Sequence, residues 1–317
     1  MNLSALLDCT DDEPAFRLIA ELSAAGSGAV VEATSAVHPL VVASLVAHRP
    51  QGVPLFVVTA TGREAEDVAA ALPGLVPDAR VVVFPSWETL PHERLSPSSD
   101  TVGRRVAVMR RLAHPDPADP MTLPIDVVVT SVRAFLQPVI SGIGDVEPVR
   151  LVAGDEAPLH DLVARLVELG YERNDLVERR GQLAVRGGIL DVFPPTEEHP
   201  LRVEFWGDTV EEIRTFAVGD QRSLELAEHG LWAPAVRELL LTPAVRERAA
   251  ALARVQPAVA EMCDKLALGI AVEGMESLAP VLADGMTTPL ELAGAAHVVL
   301  LEPERVRKRA HDIVRTA

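Results

Sequence analysis

Between residues 14 and 140, short apolar runs alternate with helix-like stretches, and few folds accommodate that grammar. The runs AVVEA (29–33), PLFVVTA (54–60), RVVVFP (80–85) and IDVVVT (125–130) are rich in valine and read as buried strands. Between them lie PLVVASLVAH, with Pro39 in its first turn, REAEDVAAAL and DTVGRRVAVMRRLA, each with the length and spacing of a helix. Strands separated by helices build a parallel, doubly wound sheet. The proline-rich HPDPADPMTLP (114–124) is a loop.

Near residue 145 the grammar changes. APLHDLVARLVELGYE places Leu159, Leu162, Val163, Leu166 and Val167 on one helical face, and Gly170 closes the helix. GQLAVR, GILDVF, LRVEFW and EEIRTFAV follow as strands, with Gly207-Asp208 as a tight turn between the last two. A helix on a small antiparallel sheet is an α+β unit. From about residue 228 the helical period returns in TPAVRERAAALARV and PAVAEMCDKLALG, broken at Pro257. The strand HVVLLE then leads into the helix PERVRKRAHDIVRT, repeating the first grammar. The expected fold class is therefore α/β, a parallel-sheet domain split into residues 1–144 and 228–317, with residues 145–227 inserted as the α+β unit.

A chain of 317 residues suits two or three domains, each able to bury its own core. No apolar run approaches the roughly 18 to 20 residues of a membrane span. The opening MNLSALLDCTDDEP has no basic region and turns acidic at Asp8, unlike a signal peptide. Two cysteines, Cys9 and Cys263, make neither a disulfide framework nor a metal site, so a reducing cytoplasm is expected. A formal net charge of -17 argues against broad attraction to DNA, which needs many cations on phosphates. With aromatic residues at 3%, platforms for stacking single-stranded bases are also scarce.

A nucleotide-binding α/β domain carries its phosphate loop where the first strand feeds a helix, with glycines cradling phosphate and a lysine reaching its terminal groups. Here that turn reads VVEATSAVHPLVV. It holds Thr34, Ser35 and His38 but no glycine, and the only lysines of the chain are Lys265 and Lys308, neither after the required glycines. A Walker A motif is absent. The nine histidines lack ligand spacing, no metal or cofactor is expected, and no G-x-S-x-G elbow is present. The end of VVLLEPE superficially resembles a Walker B strand at Glu302 and Glu304; without a phosphate loop, carboxylates starting a helix are the better explanation.

Two arginine clusters stand out in so acidic a chain. Arg104, Arg105, Arg110 and Arg111 fall on an amphipathic helix, where a solvated face is the expectation. Arg173, Arg179, Arg180 and Arg186 fall within RNDLVERRGQLAVRG, the start of the α+β unit. Within the strand, Ala184 and Arg186 share one face while Leu183 and Val185 point to the other. Read from residues alone, these arginines either pair with Glu172, Asp175, Glu178 or Glu204, or present planar donors to an acidic partner.

Several motifs carry a resemblance. PSSDT (97–101), RND (173–175), RGQLAVRGGILDVFPP (180–195) and LRVEFWGDTVEEIRTF (201–216) resemble the excision-repair subunit UvrB. FPSWETLPHERLSPSSD, VVVTSVRAF and VGDQRSLE make the likeness closer to the UvrB-like N-terminal module of bacterial transcription-repair coupling factors. That resemblance implies a discontinuous domain 1, in pieces 1a and 1b, of degenerate P-loop type, with a small domain 2 inserted. It also implies that the chain is a fragment of a longer protein, without the polymerase-binding domain and ATP-dependent DNA translocase that the family carries C-terminally.

The implied partner of domain 2 is UvrA, and the matching positions are Arg173, Arg180 and Arg186, with Glu204 beside them. One further arginine of the UvrB pattern falls on Ala184 here. The absent C-terminal domains of the same protein are a second expected partner. The implied function is a non-catalytic module that recruits UvrA, with little or no DNA binding of its own. The alternative is a nucleotide-dependent DNA-binding module like UvrB.

Overall fold

The computed structural model describes residues 3–50, 52–90 and 93–316, so Pro91 and His92 of the FPSWETLPHERLSPSSD motif lie outside the described residues. Four parallel strands form one sheet in the order His297–Leu300, Leu55–Thr59, Val127–Ser131, Val81–Phe84. The two central strands are buried along their whole length, which is why they read as uninterrupted apolar runs. Leu55 sits beside His297 in register, so the chain leaves this sheet after its third strand and returns more than a hundred residues later to complete it.

That return explains the one strand reading that fails. Residues 29–33 form no strand, and Val30 is 96% exposed. Both sides of Leu55–Thr59 are taken, by His297–Leu300 and Val127–Ser131, and the backbone of residues 29–33 joins no ladder and stays exposed.

Helices pack on the sheet as their caps predict. Thr61 and Glu64 form a reciprocal capping box at the start of Gly62–Leu75. The PSSDT motif caps Ser99–Ala113: Ser98 Oγ accepts from the Thr101 N–H at 3.2 Å and donates to Glu88 Oε1 at 2.7 Å. At the N-terminal end of the parallel strands, Asp126 accepts from the Arg80 side chain at 2.7 Å and its backbone N–H at 2.8 Å, and pairs with Arg49. Burial alone would raise the Asp126 carboxyl, but the Arg80 bonds and the Arg49 charge outweigh it and hold the group below the usual carboxylate range. Its contribution to stability is present above the unfolded value of about 3.9 and is lost as pH falls through the lower folded value. Asp126→Asn should therefore flatten the acid limb of a Tm-against-pH curve; an unchanged limb would contradict this.

The second sheet runs in the order Ser223–Leu226, Thr209–Phe216, Leu201–Trp206, Ile189–Val192, Gln182–Arg186, Glu172–Arg173, antiparallel except for its last pair. Leu183, Leu190, Val192, Leu201, Val203 and Ile213 turn one face of it toward the helix Leu159–Glu168, whose Leu166 is fully buried. Val167 is exposed instead of joining that face, because Leu169, beyond the helix end, fills the core. Gly170, at φ +95°, makes the turn out of the helix. The short strands Val149–Leu151 and Leu231–Ala233 pair antiparallel and bring together the two ends of this unit.

The two sheets share one hydrophobic core, which joins Phe56, Phe84, Val106 and Met109 to Leu166, Leu183 and Leu201. The closest approach is at Gly103 of the Ser99–Ala113 helix: a Cβ there would lie 1.9 Å from Pro195 Cγ, so only glycine fits. Pro243–Val255 and Ala260–Ala267 pack around a separate small core with Leu239, Met275 and Leu282.

Candidate protein-docking face

The stretch expected to stand where a phosphate loop would be is open coil and one turn. Thr34 and Ser35 are exposed, Ser35–Val37 is a single 3-10 turn, and His38 begins the helix His38–His48. No strand leads into it, for the reason given above.

The first arginine cluster is not the solvated face its sequence suggests. Arg105 is fully buried, its Nε donating to Glu238 Oε1 at 2.5 Å and its Nη1 to the Pro85 carbonyl at 2.8 Å, with the guanidinium 4.4 Å from the Phe84 ring centre. Arg110 bonds Glu147 at 2.8 Å, and Arg111 bonds the Leu123 carbonyl at 2.8 Å. Burial, then the neighbouring Arg80 charge, push the Arg111 guanidinium below its ordinary range. Arg104, 3.5 Å from Glu66, is the most solvated of the four, with its side chain 40% exposed. The helix carries these charges inward because it lies between the two sheets, with neighbours on more than one side.

The second cluster divides into three environments. Arg180 Nε and Nη2 donate to the Glu197 carbonyl at 3.0 and 2.8 Å, its charge lies 3.4 Å from Asp100, and it stacks over Phe193. It thereby ties the antiparallel sheet to the Ser99–Ala113 helix. Arg186 Nη2 donates to Asp191 Oδ2 at 2.7 Å, and its side chain remains 46% exposed. Arg173 is exposed on the short outermost strand and makes no side-chain hydrogen bond or ion pair with a described residue. Arg179 is exposed too.

Arg186 is set by a packed ion pair beneath it. Asp191, 1% exposed, also receives Arg202 Nε at 2.7 Å and Nη2 at 2.9 Å, and Arg202 lies over the Phe216 ring. Two guanidinium groups meet one carboxylate, and the charge of Glu204 on the same face acts on Arg202 from farther off. One arm of Arg186 is held in place and its other donors face solvent, which reduces the entropy a partner must remove. Across the sheet, Arg186 lies beside Ile189, and Ile189 beside Glu204. Glu204 is half-buried and has no side-chain hydrogen bond or ion pair with a described residue.

The structure thus brings Arg186 and Glu204 onto one face and leaves Arg173 apart. Arg173 stands beside Leu183, which points to the opposite face from Arg186, so a partner must reach round the outermost strand to engage both. Ala184 is packed with Val177, Phe193 and Phe216, leaving that position apolar and covered. One residue escaped the sequence reading: Trp206, 78% exposed. The alternation of LRVEFW puts it on the same face as Arg202 and Glu204, a signal that was available in the sequence.

The segment that builds this face carries a family signature. Residues 149–236 match the UvrB interaction domain. Over 99% of its length the chain is 50% identical to the transcription-repair-coupling factor of Mycobacterium tuberculosis (strain CDC 1551 / Oshkosh), of which it covers 26%. It is 30% identical to that of Escherichia coli (strain K12) over 48% of this chain and 12% of that protein. The UvrABC system protein B of Thermus thermophilus is 30% identical over 62% of the chain, which covers 29% of it. The chain spans about a quarter of the length of the first coupling factor. The resemblance drawn from its motifs is therefore matched along almost the whole chain, and the face that carries Arg186 and Glu204 lies inside the UvrB interaction domain match. Among the described residues no helix is long and apolar enough to cross a membrane.

Proposed function

We propose that this chain is the non-catalytic, UvrA-recruiting module of a transcription-repair coupling factor, linking a stalled polymerase to excision repair. The observation that carries the reading is the state of Arg186: half-exposed, oriented by a buried carboxylate that a second arginine also satisfies, and inside the UvrB interaction domain match. An arginine so held is a preformed donor for a carboxylate on a partner. Glu204 on the same face and Arg173 at its margin extend the surface, and Arg180 braces it from below. In this reading residues 1–144 and 228–317 are domains 1a and 1b of a degenerate nucleotide-binding domain, residues 145–227 are domain 2, and the remaining domains of the longer protein are a second partner.

The competing reading, a nucleotide-dependent DNA-binding module, makes a different prediction. Thr34, Ser35 and His38 supply neither the glycine cradle nor the lysine on which phosphoryl positioning depends. Calorimetry with ATP and magnesium should show no saturable binding in the micromolar range, and a labelled single strand at ~150 mM salt should not bind below micromolar concentrations. Saturable ATP binding or submicromolar DNA binding would transfer the assignment to the UvrB-like reading.

A further inference from the structure

Among the described residues, only Arg94, Gln221 and Glu302 carry a positive φ without being glycine. Gln221, at φ +59°, belongs to the VGDQRSLE motif, which the docking reading leaves without a role. The left-handed region crowds Cβ against the carbonyl, so a residue other than glycine stays there only where its surroundings hold it. What glutamine adds over glycine is an amide. Its Nε2 donates to the Val218 carbonyl at 2.8 Å and to the Val177 carbonyl at 3.4 Å. Both neighbours are acceptors, so the amide has one orientation.

These bonds join two loops. Val177 lies in the stretch after Glu172–Arg173, and Gln221 in the turn between Thr209–Phe216 and Ser223–Leu226. Beneath them Val177, Ala184, Phe193 and Phe216 form a small core of their own, and Val218 packs against it. Ala184 shares its face of the sheet with Arg186, so this core lies directly behind the docking surface.

With its backbone turned this way, Gln221 directs its carbonyl to Arg202 Nη1 at 3.1 Å. Arg202 is thereby held by the Gln221 carbonyl, the Phe216 ring and the Asp191 carboxylate. The last of these contacts reaches the surface. Asp191 Oδ2 accepts from Arg202 Nη2 at 2.9 Å and from Arg186 Nη2 at 2.7 Å, so the placement of Arg202 decides which side of that oxygen is left for Arg186.

We propose that Gln221 is a positioning residue for docking: its amide fixes the turn, its carbonyl fixes Arg202, and through Asp191 this sets the rotamer in which Arg186 meets UvrA. The inference rests on the UvrA-docking reading above and gives the VGDQRSLE motif a part in it. Gln221 acts through Arg202 and Asp191 rather than by touching the partner. An Arg186 released from this arrangement keeps its charge and donors but must be ordered on binding, which lowers affinity.

The test uses the whole 317-residue chain labelled with nitrogen-15 arginine, and UvrA from the same organism. Gln221→Gly is the informative variant, because glycine accepts the left-handed backbone and removes only the amide. Arg202→Lys assigns the Arg202 Nε–H resonance, which should exchange slowly with water in the unaltered chain. In Gln221→Gly that exchange should quicken by about tenfold or more, measured on the free chain below its melting temperature so that a lowered melt does not obscure it. UvrA binding should weaken by about fivefold, and in an Arg186→Ala background Gln221→Gly should cause no further loss. Unchanged Arg202 exchange, or an equal loss of affinity in both backgrounds, refutes the positioning role and leaves the docking reading standing. If Arg186→Ala binds UvrA as the unaltered chain does, the docking role of Arg186 fails and the positioning role with it, even where Arg202 exchange quickens. If the unaltered chain does not bind UvrA, both fail.

Discussion

Arg105→Ala is expected to destabilise the chain by about 3–5 kcal/mol, the largest effect of any single substitution proposed for this molecule. Arg105 and Glu238 are buried to 0% and 1% side-chain exposure, and removing the guanidinium leaves a carboxylate in the shared core with only the Trp87 Nε1–H at 2.9 Å to satisfy it. Glu238→Gln should cost less, because an amide oxygen in place of Oε1 can still accept the Arg105 Nε–H and Trp87 Nε1–H, although the guanidinium loses its counter-charge. The pair is not ideally served even in the native chain: Arg105 Nη2 and Glu238 Oε2 have no hydrogen-bond partner. Replacing both with apolar residues of similar volume, Arg105→Met with Glu238→Leu, should therefore recover most of the loss, since two desolvated charges are removed together. Urea unfolding of the four proteins gives the comparison. A loss below about 1 kcal/mol in Arg105→Ala would mean that water reaches the pair and that the two sheets do not share a dry core.

The same pair marks the boundary of what the sequence makes legible. The valine runs at 54–60 and 125–130 announce themselves because strands covered on both faces need no polar alternation, and the run at 80–85 keeps the same apolar character at the half-buried edge of the sheet. The return of strand-then-helix grammar at HVVLLE is legible for a similar reason, and its pairing with Leu55–Thr59 closes the sheet as the grammar implies. AVVEA misleads because periodicity reports what a segment tolerates, not which neighbour has already taken its place beside Leu55. Arg105 misleads differently. A run of arginines on a helix reads as solvated unless its partners are known, and Glu238 is 133 residues away along the chain. The shared face of Arg186, Ala184 and Glu204 was readable, because alternation alone decides it. Whether a given arginine is spent inside the chain was not: Arg180 is committed to the Glu197 carbonyl and Asp100, while Arg173 has no side-chain partner among the described residues, although both lie in the same short motif.

The second large effect concerns affinity and tests the central claim. Arg186→Ala removes a donor that a carboxylate on UvrA would meet, and truncating one member of a desolvated charge pair costs roughly 2 kcal/mol or more, about thirtyfold in Kd. The fold should survive, because Asp191 keeps both bonds from Arg202. Arg173→Ala removes no side-chain bond to a described residue and should leave the melting temperature unchanged. Arg104→Ala shares the charge change but lies on the Ser99–Ala113 helix beside Glu66, outside the UvrB interaction domain match, and serves as the control. The decisive measurement is a titration of the unaltered chain and these three variants with UvrA from the same organism, with a thermal melt of each. The account predicts tight binding for the unaltered chain and Arg104→Ala, and about thirtyfold weaker binding for Arg173→Ala and Arg186→Ala at unchanged melting temperature. Full affinity in both of those variants, or no binding by the unaltered chain, would contradict it.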